Sequence, residues 1–146
     1  TLFSSLNISA SGLTAQRLRL DVISNNIANA ETTRTASGGP YRRQLVTFAA
    51  RDEVAFASYM NRALRTGSTG CGVHVTRITE DPSPLRRAYQ PGHPDADVEG
   101  YVRYPNVNMV TEMVDMISAS RSYEANAAVF NASKSMAVKA LELGRR

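Results

Sequence analysis

A chain of 146 residues, 42% hydrophobic and 21% charged, has the composition of one globular domain, but no Trp, six Tyr and four Phe leave little material for a compact core. The net charge of +4 is carried by scattered arginines, with doublets at Arg42–Arg43, Arg86–Arg87 and Arg145–Arg146, rather than by the aromatic-interleaved stripe that a nucleic-acid binder needs, which argues against a nucleic-acid partner. A lone Cys71 excludes an internal disulfide, no run approaches the ~20 apolar residues of a membrane span, and the polar residues throughout the first 30 positions do not form a cleavable secretion signal, so the general rules predict a cytoplasmic protein.

Residues 4–30 predict the first helix. Its stripe runs Leu6, Ala10, Leu13, Leu20, Ile23, Ile27, Ala30, widened by Leu18 and Val22, and its period of about 3.5 favours a left-handed helical pair. Ser9, Ser11 and Gly12 are weak helix formers and predict a break or a start near that point. Asn25, Asn26 and Asn29 crowd the C-terminal end. Asparagine competes for backbone hydrogen bonds, so three within five residues predict amides bonded to something specific, the alternative being a frayed end. Glu31-Thr32-Thr33 ends the helix and Ser37-Gly38-Gly39-Pro40 is a turn.

The middle reads as short strands and loops. Strands are expected at 44–48 and 73–79, the alternation of the second failing near Arg77, with a short extended piece at Arg87-Ala88-Tyr89 and a strand at 101–104 stopped by Pro105. Residues 52–65 fit a short helix or a loop equally, and Gly67 to Gly72 form a loop. Four short strands are marginal alone, so this part must lean on helices or neighbours.

Residues 107–144 predict a second helix about 57 Å long, capped by Asn106 or Asn108 with Glu112 in its first turns and Gly144 as its stop. Its apolar repeat is Met109, Met113, Met116, Tyr123, Ala127, Phe130, Ala137, Leu141, interrupted by Ser120 and Lys134, with Ile117 alongside. Elsewhere its surface is rich in Ala and Ser, not Glu and Lys, which predicts neighbours on several sides. The fold class expected is α+β. Two long terminal helices (residues 1–32 and 106–146) pair as a coiled coil with each other, Leu6 to Ile27 along Met109 to Leu141, around a small β-rich middle region (33–105).

Chemistry is sparse. His93-Pro94-Asp95-Ala96-Asp97 could offer a metal part of a ligand set, and Cys71 with His74 lacks a second half-site; a proline-fixed turn with Asp95 and Asp97 accepting local hydrogen bonds is the stronger reading. No phosphate-binding glycine loop precedes a helix. No catalytic, metal or cofactor site is expected, and the chain is not expected to be an enzyme.

Ser11-Gly12-Leu13 with Ala15-Gln16, then Ser24-Asn25-Asn26-Ile27-Ala28-Asn29, resembles the N-terminal signature of bacterial flagellar rod and hook proteins. Gly38 to Arg43, Glu80 to Pro84, Pro91 to Asp97 with Glu99 to Val102, Pro105 to Asn108, Glu112 to Ile117, Arg121 to Asn126 and Lys134 to Ala137 are similar to the proximal-rod members of that family; residues 53–72 match least. The resemblance implies a structural subunit exported without cleavage through the flagellar type III apparatus, assembling helically into the hollow periplasmic shaft that transmits torque and conducts exported proteins. It implies as partners copies of itself, other rod proteins and the adaptor at the export gate, and it replaces the cytoplasmic expectation with the basal body. The expected packing residues are Leu6, Leu13, Leu20, Ile23, Asn25, Asn26, Ile27 and Asn29 on the first helix, and Met109, Met113, Met116, Ile117, Tyr123, Ala127, Phe130 and Leu141 on the second. The alternatives are a different rod or hook subunit, or a cytoplasmic coiled-coil adaptor.

Overall fold

The computed structural model describes residues 2–51 and 70–144; the expectations for residues 52–65 and for Gly67 to Thr69 lie outside them. In chain order the elements are α1 (Leu2–Ala28), β1 (Gln44–Ala50), β2 (Val73–Glu80), β3 (Arg86–Tyr89), β4 (Tyr101–Tyr104) and α2 (Met109–Leu143). The architecture is α+β, with a helix at each terminus and small antiparallel strand pairs between them. β1 pairs with β2, bonded at its two ends through Asp81 N–H to Arg43 O (2.8 Å) and Arg51 N–H to Gly72 O (2.8 Å). β3 pairs with β4 in the register Arg86 with Tyr104 through Tyr89 with Tyr101.

Helix boundaries follow local chemistry. α1 runs unbroken through Ser9, Ser11 and Gly12, contrary to the expected break. All three are buried: the Ser11 hydroxyl donates to Ile8 O (2.7 Å) and accepts the Val73 N–H (3.1 Å), so tertiary contact overrides weak propensity. The helix ends at Ala28, three residues before Glu31. The turn that follows is made by Gly38 and Gly39 at φ of 83° and 82°, a left-handed conformation that side chains resist. α2 is capped by Asn108, whose Oδ1 accepts the N–H groups of Val110 (3.0 Å) and Thr111 (3.3 Å), while Asn106 is used elsewhere.

The chain forms two compact units, and both draw on both helices. The first comprises Thr1–Arg17, Phe48–Thr76 and Arg121–Arg146. Here Ser5 meets Ser133 (3.4 Å between hydroxyls), and Gly12 lies against Asn126, whose Cγ would be 3.0 Å from a Cβ at that position. The helices therefore run antiparallel in this unit, and its buried helix residues include the small Ser9, Ser11, Ala15 and Ser133.

The second unit comprises Leu18–Thr47 and Arg77–Ser120. Its helix segments are also antiparallel, with Arg19 against Asp115 (3.4 Å) and Asn26 against Glu112 (3.0 Å). Val22, Ile23, Ala30, Val102, Tyr104 and Ala119 form its core.

In each unit the helix contacts fall on the heptad Ser5, Gly12, Arg19, Asn26, one residue before the expected Leu6, Leu13, Leu20, Ile27, all four of which are half-buried. On α2 the buried positions are Glu112, Ala119 and Ser133, while Met109, Met113, Ile117, Tyr123 and Leu141 are exposed. The two terminal helices thus pair with each other as expected, and these contacts run beside the half-buried apolar stripe of α1.

Candidate assembly interface

The second unit is locked by a buried polar network, and the apolar strip on its α2 segment lies outside that network. Asn26 sits on α1 one turn from the helix end, 1% exposed. Its Nδ2 donates to Gln44 O (2.9 Å) and to Glu112 Oε2 (3.0 Å). Its Oδ1 accepts the Gln44 N–H (2.9 Å) and the Tyr41 hydroxyl (2.9 Å). The amide gives Gln44 the paired N–H and C=O bonds that a neighbouring strand would give, so β1 begins against a helix side chain. With four bonds made, its burial carries no unmet polar demand.

Glu112, also 1% exposed, accepts Arg43 Nε at its other oxygen (2.6 Å). The same guanidinium reaches Asp115 (3.3 Å) and Asp81 (3.7 Å), and Arg19 meets Asp115 from α1. The Arg43 N–H donates to Asn106 Oδ1 (2.9 Å), and Asn106 Nδ2 donates to Asp81 O (3.1 Å) and Ser83 O (3.2 Å). A buried carboxylate is tolerable only when paired and hydrogen-bonded, and Glu112 is both. The Ser83 hydroxyl and N–H, then Arg43, hold the Asp81 carboxyl below its ordinary range. Burial, then Glu112 and Glu80, push the Tyr41 phenol up.

The three asparagines divide the work. Asn26 carries the buried contacts. Asn29 Nδ2 closes the helix end onto Asn25 O and Asn25 Oδ1 (both 2.9 Å), and Asn25 Nδ2 reaches the Tyr41 hydroxyl at 3.4 Å from an exposed position. Sequence reasoning placed Glu112 only as a helix-start charge and missed Arg43, Asp81 and Asp115. The available signal was Glu112 and Asp115 at i, i+3 on one face of a helix otherwise short of charge.

Outside this network, Met109, Val110, Met113, Val114 and Ile117 form one continuous uncharged strip on α2, each between 41% and 70% exposed. In the first unit the same helix exposes Val129, Met136, Val138, Leu141 and Leu143. Met116, Ala127 and Phe130 are half-buried, and Ile23 is buried in the second unit.

The turn around His93 is a structural one. Its N–H donates to Gln90 O (3.1 Å), His93 Nδ1 accepts the Asp95 N–H (3.1 Å), and Asp97 Oδ1 accepts the Glu99 N–H (2.8 Å). Asp95 is taken by the Thr33 hydroxyl (2.8 Å) and Arg34 (2.6 Å), which hold its carboxyl below the usual range, the hydroxyl foremost. Among the described residues no three His, Cys, Asp or Glu side chains gather as a metal site, and no helix is long and apolar enough to cross a membrane.

Residues 6–34 match the family described as flagella basal body rod protein, and residues 98–143 match the flagellar basal body rod FlgEFG protein C-terminal family. The chain belongs to the FlgC family of flagellar basal-body rod proteins. It is 55% identical to the FlgC rod protein of Borreliella burgdorferi over 97% of each chain, 49% identical to that of Bacillus subtilis over 99% of each, and 42% identical to that of Salmonella typhimurium over 99% of this chain and 98% of the other.

Proposed function

We propose that this chain is a structural subunit of the flagellar rod that acts by assembly and not by catalysis. The observation that carries this reading is the uncharged strip Met109, Val110, Met113, Val114, Ile117 lying outside a helix whose inner face is already satisfied by Asn26, Arg43 and Arg19. A side chain left outside the subunit's own packing is available to a neighbour, and burial of each large apolar one contributes roughly 1.5–3 kcal/mol.

In this reading the terminal segments 1–32 and 106–146 form the assembly core and residues 33–105 project from it. Neighbouring copies and other rod proteins cover the strip. Leu6, Leu13, Leu20 and Ile27 flank the intrachain contact line and pack partly on the same neighbours. The subunit belongs to the proximal rod, is exported through the flagellar type III apparatus without cleavage, and contacts the adaptor at the export gate. The close-packed helices give the shaft its torsional stiffness.

The test is a Met113→Asp, Ile117→Asp double variant in a strain lacking the native gene. Export of the variant with loss of rods and swimming is the expected result. Normal swimming overturns the reading.

A further inference from the structure

We infer that the outer face of the β3–β4 hairpin docks a carboxylate-rich surface of a protein partner. The register sets Arg87 opposite Arg103 and Tyr89 opposite Tyr101. The Gln90 N–H bond to Gly100 O (2.8 Å) fixes which pairs carry the ladder hydrogen bonds, so 87/103 and 89/101 are the non-bonded pairs, whose side chains lie closest. Two arginines directly across a strand pair repel one another. The chain itself does little to relieve this. Arg103 is exposed and has no hydrogen-bond or ion-pair partner among the described residues, and Arg87 reaches Asp97 only at 3.8 Å with both side chains well exposed.

The hairpin's other face accounts for its packing, since Val102 and Tyr104 are buried. The outer face, with Tyr89 at 65% exposure, adds nothing to that core. It offers arginine and tyrosine, the residue types that concentrate binding energy at protein interfaces, and arginine's fork matches a carboxylate.

Arg87 Cζ lies 5.4 Å over the Tyr101 ring, and Tyr89 meets the same ring edge-on at 5.3 Å and 65°. The face presents two guanidiniums, one of them without a partner among the described residues, and no extended basic run of the kind a nucleic acid needs, which favours the carboxylates of an acidic protein surface.

The experiment is a backbone amide NMR titration of the full chain with poly-L-glutamate, and in parallel with polygalacturonate as an anionic glycan. Poly-L-glutamate is expected to shift residues 86–90 and 100–104 and to bind about tenfold more weakly to the Arg87→Ser, Arg103→Ser variant. Should that variant lose the buried Val102 and Tyr104 signals, Arg103→Gln alone gives the same reading. Shifts confined to other regions, equal binding by the variants, or tighter binding of polygalacturonate each overturn the inference.

Discussion

The amide of Asn26 and the carboxylate of Glu112, 86 positions apart in sequence, meet at 3.0 Å in a buried position. Neither is there as a lone polar group. Asn26 also holds both backbone groups of Gln44, and Glu112 also holds Arg43. Helix start, helix end and first strand of the second unit are therefore tied at one point, and burying any one of these groups is tolerable only because the others are present.

Asn26→Ala removes four hydrogen bonds and leaves Glu112 with one partner fewer. We expect a loss of about 2–4 kcal/mol of stability, read as a lower urea midpoint at unchanged slope. The Gln44 amide should lose hydrogen-exchange protection in the same variant.

Glu112→Gln keeps the volume and the bond to Asn26 but removes the charge facing Arg43. Arg43 retains Asp115 at 3.3 Å, so the expected loss is about 1–3 kcal/mol. Arg43→Met, which strands Glu112, should be the more damaging of the two in the same urea titration.

Gly12→Ala puts a Cβ 3.0 Å from Asn126 Cγ and Oδ1, a crowding expected to cost about 1–3 kcal/mol. Asn126→Ala removes the obstruction. In that background the gain in helix propensity, about 1 kcal/mol, should make Gly12→Ala neutral or stabilising. A double-mutant cycle measures the change of sign.

The pH dependence has two limbs. Asp81 has a folded pKa below its usual 3.8, so its contribution is complete above that value and is lost as pH falls through the folded pKa. Tyr41 has a folded pKa above its usual 10.0, so its contribution is complete below 10.0 and is lost as pH rises through the folded pKa. Asp81→Asn should flatten the acid limb of a stability-versus-pH curve, and Tyr41→Phe the alkaline limb.

Much of the fold was legible because local chemistry decides it. Pro105, Gly38-Gly39 and the β-branched alternation before Arg77 bound the strands, and both helices fall within a few residues of their expected ends. The polar contacts between the helices were not legible. Two heptads lie side by side on α1, one of leucine and isoleucine and one of serine, glycine, arginine and asparagine. Hydrophobicity draws attention to the first, while the polar contacts to α2 fall on the second. Met109 and Met113 have the spacing of a packing stripe and are exposed in the single subunit. Asn26 was legible as an amide seeking partners. The ion pair of Arg43 with Glu112, across 69 positions, left no local trace.

The central claim is that the outward strip on α2 is completed by neighbours. An electron cryomicroscopy map of purified basal bodies, with side chains traced, tests it most directly. The account predicts Met113, Val114 and Ile117 buried against an adjoining subunit while Asn26 and Glu112 remain bonded within their own. A strip facing solvent in the assembled rod would contradict it.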